Sequence, residues 1–67
     1  MPGFEVWQSP GGLIWEGSDQ EEAFLTAIEC RRPGVVIEVA EIHNTSGHLR
    51  PRRIACYDDR QAAGASD

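Results

Sequence analysis

The stretch SDQEEAFLTAIECRR, residues 18–32, carries a start signal, a periodic body and a stop signal for one helix. Ser18 followed by Glu21 fits the S-x-x-E capping box, in which each side chain satisfies a backbone N–H of the first turn. A Pro-Gly pair follows the stretch and ends the helix, because proline has no N–H to donate and disfavours helical geometry before it. The segment therefore predicts a helix with carboxylates at its positive end and two arginines at its negative end.

The helical period divides this segment into two faces. The face predicted to enter a core carries Ala23, Phe24, Ala27, Ile28 and Cys30, with Leu25 at its margin. The opposite face carries Asp19, Glu22, Thr26 and Glu29. One face is thus expected to pack on a sheet, and the other is expected to present carboxylates to water.

Length and composition limit the protein to one small acidic domain. The chain has 67 residues, with eleven acidic side chains against six basic ones, all arginine, and a formal net charge of −5. A domain of this size buries only about 60% of the surface of its unfolded chain, so the core is expected to be thin. The negative charge disfavours nonspecific binding to nucleic acid or to an anionic membrane, although a local basic patch is compatible with it.

The first residues lack the basic region and the apolar run of a secretory signal, and no stretch is long and apolar enough to span a membrane. A cytoplasmic location follows as the expectation. Cys30 and Cys56 are then expected to be reduced, with a helix-to-strand disulfide as the alternative.

Four extended segments surround the helix. Residues 4–8 and 13–16 are aromatic and β-branched runs on either side of a Ser-Pro-Gly-Gly turn, which predicts a hairpin. Residues 35–43 alternate so that Val35, Ile37 and Val39 lie on the side under the helix, continued by Glu41 and His43. A connection at residues 44–47 leads to a last strand at 48–58, in which Pro51 indicates an edge or a bulge.

The pattern predicts an α+β domain of ββαββ order, with a four-stranded antiparallel sheet and one helix packed on one face. The domain is expected to span residues 1–58, with residues 59–67 as a frayed tail. Strand order does not follow from the pattern. The sheet face without the helix is a natural surface for a homodimer or another partner.

Two tryptophans lie on either side of the first predicted turn. Trp7 and Trp15 are expected to pack in the core or against each other across the hairpin. The alternative makes one of them an exposed anchor for a partner, because aromatic residues concentrate in interface hot spots.

Candidate catalytic and metal sites are weak in this sequence. His43, His48 and Cys56 lack the paired short spacings of a closed zinc site, so no metal is expected. Nucleophilic catalysis needs a nucleophile, a base and an orienting group around a pocket, for which this core offers little room. The Gly-Gly pair lies in a hairpin turn and does not open a helix, so no phosphate loop, cofactor or enzymatic activity is predicted.

Two charged groups remain as candidate binding residues. Arg50, Arg52 and Arg53 form the basic cluster, which either contacts phosphates or protects an edge strand from unwanted pairing. The acidic helix residues Asp19, Glu22 and Glu29 are either only a solvated face or a surface that recognises a basic partner.

A short, acidic chain patterned as strand, strand, helix, strand, strand over residues 4–58 resembles the small phage-encoded anti-CRISPR proteins. The resemblance concerns this plan and involves no diagnostic motif, so no residue role is carried over. It implies a compact α+β inhibitor that binds a bacterial nucleic-acid-handling complex. The function expected on this basis is non-enzymatic protein binding through Asp19, Glu22 and Glu29, with Trp7 and Trp15 as further candidate contacts. The alternative is a small RNA- or DNA-binding module that uses the arginine strand.

Overall fold

A computed structural model of the chain describes residues 3–45 and 48–60. Its elements follow the order β1 (Gly3–Ser9), β2 (Gly12–Gly17), α1 (Gln20–Glu29), β3 (Val36–Thr45) and β4 (His48–Asp58). The four strands form one antiparallel sheet, and the helix packs on one of its faces. The predicted α+β class and ββαββ order are therefore confirmed.

The order of strands across the sheet is β2-β1-β3-β4. Since β1 lies between β2 and β3, the connection from β2 to β3 through α1 crosses over β1. The helix lies over β1, β2 and β3 but not over β4. Both sheet edges, β2 and β4, are consequently the strands furthest from the centre of the core.

The core lies between α1 and the inner face of the sheet, the face that the helix covers. Its buried residues come from β1, the helix, β3 and the residue that precedes β3: Phe4, Val6, Ala23, Ala27, Val35, Ile37 and Val39. The predicted alternation of Val35, Ile37 and Val39 toward the helix is thus confirmed. Around this cluster pack the half-buried side chains of Trp15, Phe24, Cys30, Ile54, Ala55 and Tyr57.

The start of the helix corrects the predicted capping box. Asp19, not Ser18, is the N-cap, with extended dihedrals of φ −102° and ψ 111°. Its carboxylate Oδ1 accepts hydrogen bonds from the backbone N–H groups of Glu21 at 3.0 Å and Glu22 at 3.3 Å. Serine and aspartate cap about equally well, and Asp19 also has an acidic residue three positions later, so the sequence pattern fits both registers.

The end of the helix is also earlier than predicted. The last helical residue is Glu29, and Cys30 is the C-cap. Arg31 and Arg32 therefore lie beyond the last turn, which carries no basic residue. Pro33 and Gly34 do not themselves end the helix, since the last helical residue lies before them in the chain.

The helix is rotated relative to the predicted core face. Ala23 and Ala27 are fully buried, whereas Leu25 and Ile28 are each 53% exposed. The placement of Ile28 in the core was therefore wrong. Small side chains at Ala23 and Ala27 let the helix approach the sheet closely, and this contact turns Ile28 outward.

Each edge strand contains a residue without a partner in the neighbouring strand. Val6 pairs with Trp15 and Trp7 with Leu13, which leaves Ile14 as a bulge in β2. Val39 pairs with Ala55 and Ala40 with Arg53, which leaves Ile54 as a bulge in β4. Pro51 lies in β4, as the prediction of an edge or bulge requires.

The second connection and the C-terminal boundary also differ from the prediction. Asn44 and Thr45 belong to β3, and the remaining predicted turn residues, 46 and 47, lie outside the described part. Asp59 makes backbone hydrogen bonds with Gly34 at 3.0 Å and with Val35 at 3.2 Å. The ordered domain thus continues past residue 58, and residues 61–67 of the predicted tail lie outside the described chain.

Candidate partner-binding surface

The outer face of α1 combines aliphatic and acidic side chains. Leu25 and Ile28 are one helical turn apart, and both are more than half exposed. Glu21 and Glu29 lie four residues before and after Leu25, so they flank it on the same stripe of the helix. Glu22 is exposed beside them. We call the set of Glu21, Glu22, Leu25, Ile28 and Glu29 the outer helix face.

This face differs from the acidic surface predicted from the sequence. Glu22 and Glu29 lie on it, as predicted, and the structure adds Glu21 and the two aliphatic residues. The signal that could have found them is the Ala23–Ala27 spacing, because two small residues one turn apart mark the side where a helix approaches its neighbour closely.

Asp19 has a structural role that the sequence prediction did not assign to it. Its carboxylate is exposed but accepts two backbone hydrogen bonds at the helix N-terminus. Removing such a cap costs about 0.5–2 kcal/mol. Asp19 is therefore not expendable for folding, and a test of binding must leave it in place.

The two tryptophans lie on opposite faces of the sheet. Trp15 faces Val6 across the β1–β2 ladder and packs against the core. Trp7 points to the outer sheet face, the face without the helix, and is 41% exposed. The predicted cross-strand Trp–Trp pair is therefore wrong, because Trp15 pairs with Val6 and Trp7 pairs with Leu13. Trp15 is a core residue, and Trp7 is the exposed aromatic side chain of the pair.

The arginine cluster is divided between the two faces of β4. Arg52 and Arg53 are consecutive strand residues, so their side chains point to opposite sides. Arg53 Nη1 donates to Glu38 Oε2 at 2.8 Å, and this hydrogen bond raises the pKa of the arginine. The side chain of Arg50 lies outside the described part. Arg52 and Arg53 thus do not form one basic surface.

A polar clasp ties the loop after the helix to the end of β4. Arg31 donates from Nε and Nη2 to the two carboxylate oxygens of Asp59, at 3.0 and 2.9 Å. Its guanidinium lies 4.8 Å from the ring centroid of Tyr57. These hydrogen bonds lower the pKa of Asp59 and raise that of Arg31. Arg32 also donates from Nη2 to Gln8 Oε1 at 3.1 Å.

A shallow depression of about 250 Å³ lies beside this clasp, lined by Arg31, Arg32, Pro33 and Asp59. In its wall, the Arg31 guanidinium is already paired with the Asp59 carboxylate, and Arg32 is hydrogen-bonded to Gln8. We therefore assign the clasp a structural role, which is to fix the helix C-terminus against the last strand.

The histidine and cysteine residues with described side chains are dispersed. His43 Nε2 lies 2.8 Å from Glu41 Oε1 on the inner side of β3. Cys30 packs against the core, whereas Cys56 is exposed opposite Glu38 on the outer sheet face, and both are free. Among residues 3–43 and 51–60, whose side chains the structure describes, no three side chains of the metal-binding types come together. In the same part of the chain, no helix has the length and apolar character needed to cross a membrane.

The chain was compared with protein-family models, with curated proteins and with solved structures, and none of the three comparisons found a match.

Proposed function

We propose that this protein is a small, non-enzymatic binding protein that docks through its outer helix face onto a basic surface of a larger complex. The observation that carries the proposal is the exposure of Leu25 and Ile28, at 53% each, between the carboxylates of Glu21, Glu22 and Glu29. A purely solvated helix face is normally polar throughout. Exposed aliphatic residues surrounded by charge are characteristic of surfaces that bind another protein.

The apolar part of this face supplies affinity. Full burial of a Leu or Ile side chain contributes about 1.5–3 kcal/mol. Since both residues are still about half exposed, a partner that covers them gains roughly 2–3 kcal/mol in total, which is about 30- to 150-fold in affinity. The two side chains are therefore the central contacts of the proposed interface.

The acidic part of the face supplies selectivity. A chain with a net charge of −5 associates faster with a positive surface, and its carboxylates discourage binding to acidic proteins. Basic protein surfaces of this kind commonly serve to bind nucleic acid. On the resemblance of the sequence plan to small anti-CRISPR proteins, we propose that the partner is a cytoplasmic nucleic-acid-handling complex of a bacterium. Occupation of its basic surface would block access of the nucleic acid.

The structure favours this function over a nucleic-acid-binding module built on β4. Arg53 is bound to Glu38, and Arg52 points to the other face of the strand opposite Glu41. Partial neutralisation and division between two faces weaken the contact that either arginine could make with a phosphate backbone.

Quantitative capture from the host lysate tests the proposal. The baits are the wild-type chain, Leu25→Ser/Ile28→Ser, Glu22→Lys/Glu29→Lys, and the matched control Arg52→Ala/Arg53→Ala. The proposal expects one nucleic-acid-binding complex, identified by mass spectrometry, on the wild-type and control baits. Both helix variants should lose it, and added DNA or RNA should displace it. Equal recovery on all four baits would exclude the outer helix face, and loss on the arginine bait alone would favour the alternative module.

A further inference from the structure

The outer sheet face carries an exposed apolar patch at the β1–β2 hairpin. Trp7 and Leu13 are direct cross-strand partners, with exposed fractions of 41% and 42%. The bulged residue Ile14, which follows Leu13 in β2, is a further large apolar residue and is 37% exposed. This patch is separated from the outer helix face by the sheet itself, because α1 packs on the other side.

Two carboxylates border the patch. Glu5 and Glu16 are direct cross-strand partners in the next row of the same sheet face. Trp7 Nε1 donates to Glu5 Oε1 at 2.9 Å, and this bond orients the indole beside the carboxylate pair. Like charges directly opposite each other destabilise a strand pair. Among the described side chains, the ion pairs do not include Glu5 or Glu16.

We propose that this patch is a second docking site, which binds a basic segment of a protein partner by one arginine or lysine and a neighbouring aliphatic residue. A cation placed over the indole of Trp7 interacts favourably with the ring face. In the same position it reaches the Glu5–Glu16 pair and relieves the repulsion between the two carboxylates. The aliphatic neighbour covers Leu13. Charge complementarity selects a basic protein segment, since nucleic acid has the same sign as the carboxylates.

This site is distinct from the outer helix face because it lies on the other layer of the molecule. A partner bound there leaves the outer helix face free. The protein is therefore able to hold two basic segments at once, one on each side.

Nuclear magnetic resonance titration of the labelled full chain tests this site. The probe is the acetylated and amidated pentapeptide RLRLR, and the matched control is QLQLQ, which has the same aliphatic residues and no charge. With RLRLR, the indole N–H of Trp7 and the amide of Leu13 should shift saturably, while the indole N–H of Trp15 stays unchanged. QLQLQ should bind at least tenfold more weakly.

Variants separate this site from the helix. Trp7→Ala and the double variant Glu5→Gln/Glu16→Gln should each weaken RLRLR binding to β1 and β2 at least tenfold. Leu13→Ser serves as a second apolar variant if Trp7→Ala does not give a folded spectrum, and it should weaken binding at least threefold. Leu25→Ser/Ile28→Ser should leave the shifts in β1 and β2 within twofold of wild type.

Several outcomes would overturn the inference. If RLRLR shifts only resonances of α1, the peptide does not bind at the β1–β2 hairpin, and the proposed helix interface is unaffected. Equal binding of QLQLQ and RLRLR would exclude a role for the cation in binding. Unchanged binding of RLRLR to folded Trp7→Ala would exclude a role for the indole. The converse result is that RLRLR shifts Trp7 while both helix-variant baits still capture the same complex as wild type. That result would support this docking site and contradict the proposed function of the outer helix face.

Discussion

Replacement of Asp19 by alanine tests the corrected start of the helix. The change removes both hydrogen bonds from the backbone N–H groups of Glu21 and Glu22 to the Asp19 carboxylate. It also removes a negative charge from the positive end of the helix dipole, which contributes about 0.3–1 kcal/mol. Loss of an N-cap residue, charge included, typically costs about 1 kcal/mol. We therefore expect Asp19→Ala to lower the free energy of unfolding by about 1–2 kcal/mol.

The loss is large for a domain of this size. A 67-residue chain has a total stability of about 3–10 kcal/mol, from roughly 0.05–0.15 kcal/mol per residue. A decrease of 1 kcal/mol corresponds to a fall of about 4–8 °C in Tm for a domain of about this length. Urea and thermal unfolding, followed by circular dichroism and tryptophan fluorescence, measure both quantities.

Matched variants identify which residue is the cap. Asp19→Asn keeps the hydrogen-bond acceptor and should retain most of the stability, because asparagine caps about as well as aspartate. Ser18→Ala should change the free energy of unfolding by less than about 0.5 kcal/mol, as expected for an exposed residue without a specific contact. If Ser18→Ala costs more than Asp19→Ala, the cap is Ser18 and the observed helix start is wrong.

Three further substitutions test the core, the first hairpin and the stability of the fold at acidic pH. Ile37→Ala, at a fully buried position, should lower the free energy of unfolding by about 2–5 kcal/mol in urea titrations, and a loss under 1 kcal/mol would contradict the packing. Gly17→Ala would place a Cβ 2.8 Å from the indole Cζ2 of Trp15, so its fluorescence should shift and stability should fall by about 1–3 kcal/mol; an unchanged spectrum would refute the contact. Hydrogen bonds from Arg60 lower the pKa of Asp58 from 3.8 to about 2, so this carboxylate stabilises the fold above pH 4 and its contribution disappears as the pH falls toward 2. Asp58→Asn should therefore reduce the pH dependence of the free energy of unfolding between pH 4 and 2. An unaltered pH dependence would exclude a contribution of Asp58.

The sequence predicted the elements because their signals are local. Alternation at Val35, Ile37 and Val39 predicted the inner side of β3, and the Pro10-Gly11-Gly12 turn predicted the first hairpin. Gly11 and Gly12 have φ values of 141° and 121°, a region in which glycine avoids the steric cost of a side chain. These preferences act within a few residues, so they are readable from the chain alone.

The rotation of the helix required contacts that are distant in sequence. A helical wheel grouped Phe24 and Ile28 with the alanines, and it does not state which part of a broad apolar arc touches the sheet. The contact is centred on Ala23 and Ala27, and Ile28 then falls outside. The most informative residues of the candidate surface were consequently assigned to the core.

The strand order and the two bulges were likewise beyond local patterns. Pairing of β1 with β3 joins segments separated by the whole helix, and the register is decided by packing of both sheet faces. The bulge determines that Leu13, and not Ile14, lies opposite Trp7. A one-residue insertion of this kind changes which side chains share a face of the sheet. No residue type in the hairpin predicts it.

Binding of the outer helix face to a partner is tested by the kinetics of association with the captured complex at several salt concentrations. We predict that Glu22→Lys/Glu29→Lys slows association at least tenfold at low salt and removes most of its salt dependence. Leu25→Ser/Ile28→Ser should accelerate dissociation, consistent with a loss of about 2–3 kcal/mol of binding free energy. Wild-type association and dissociation rates for both helix variants, with circular dichroism showing that they are folded, would contradict the claim that the outer helix face binds the partner.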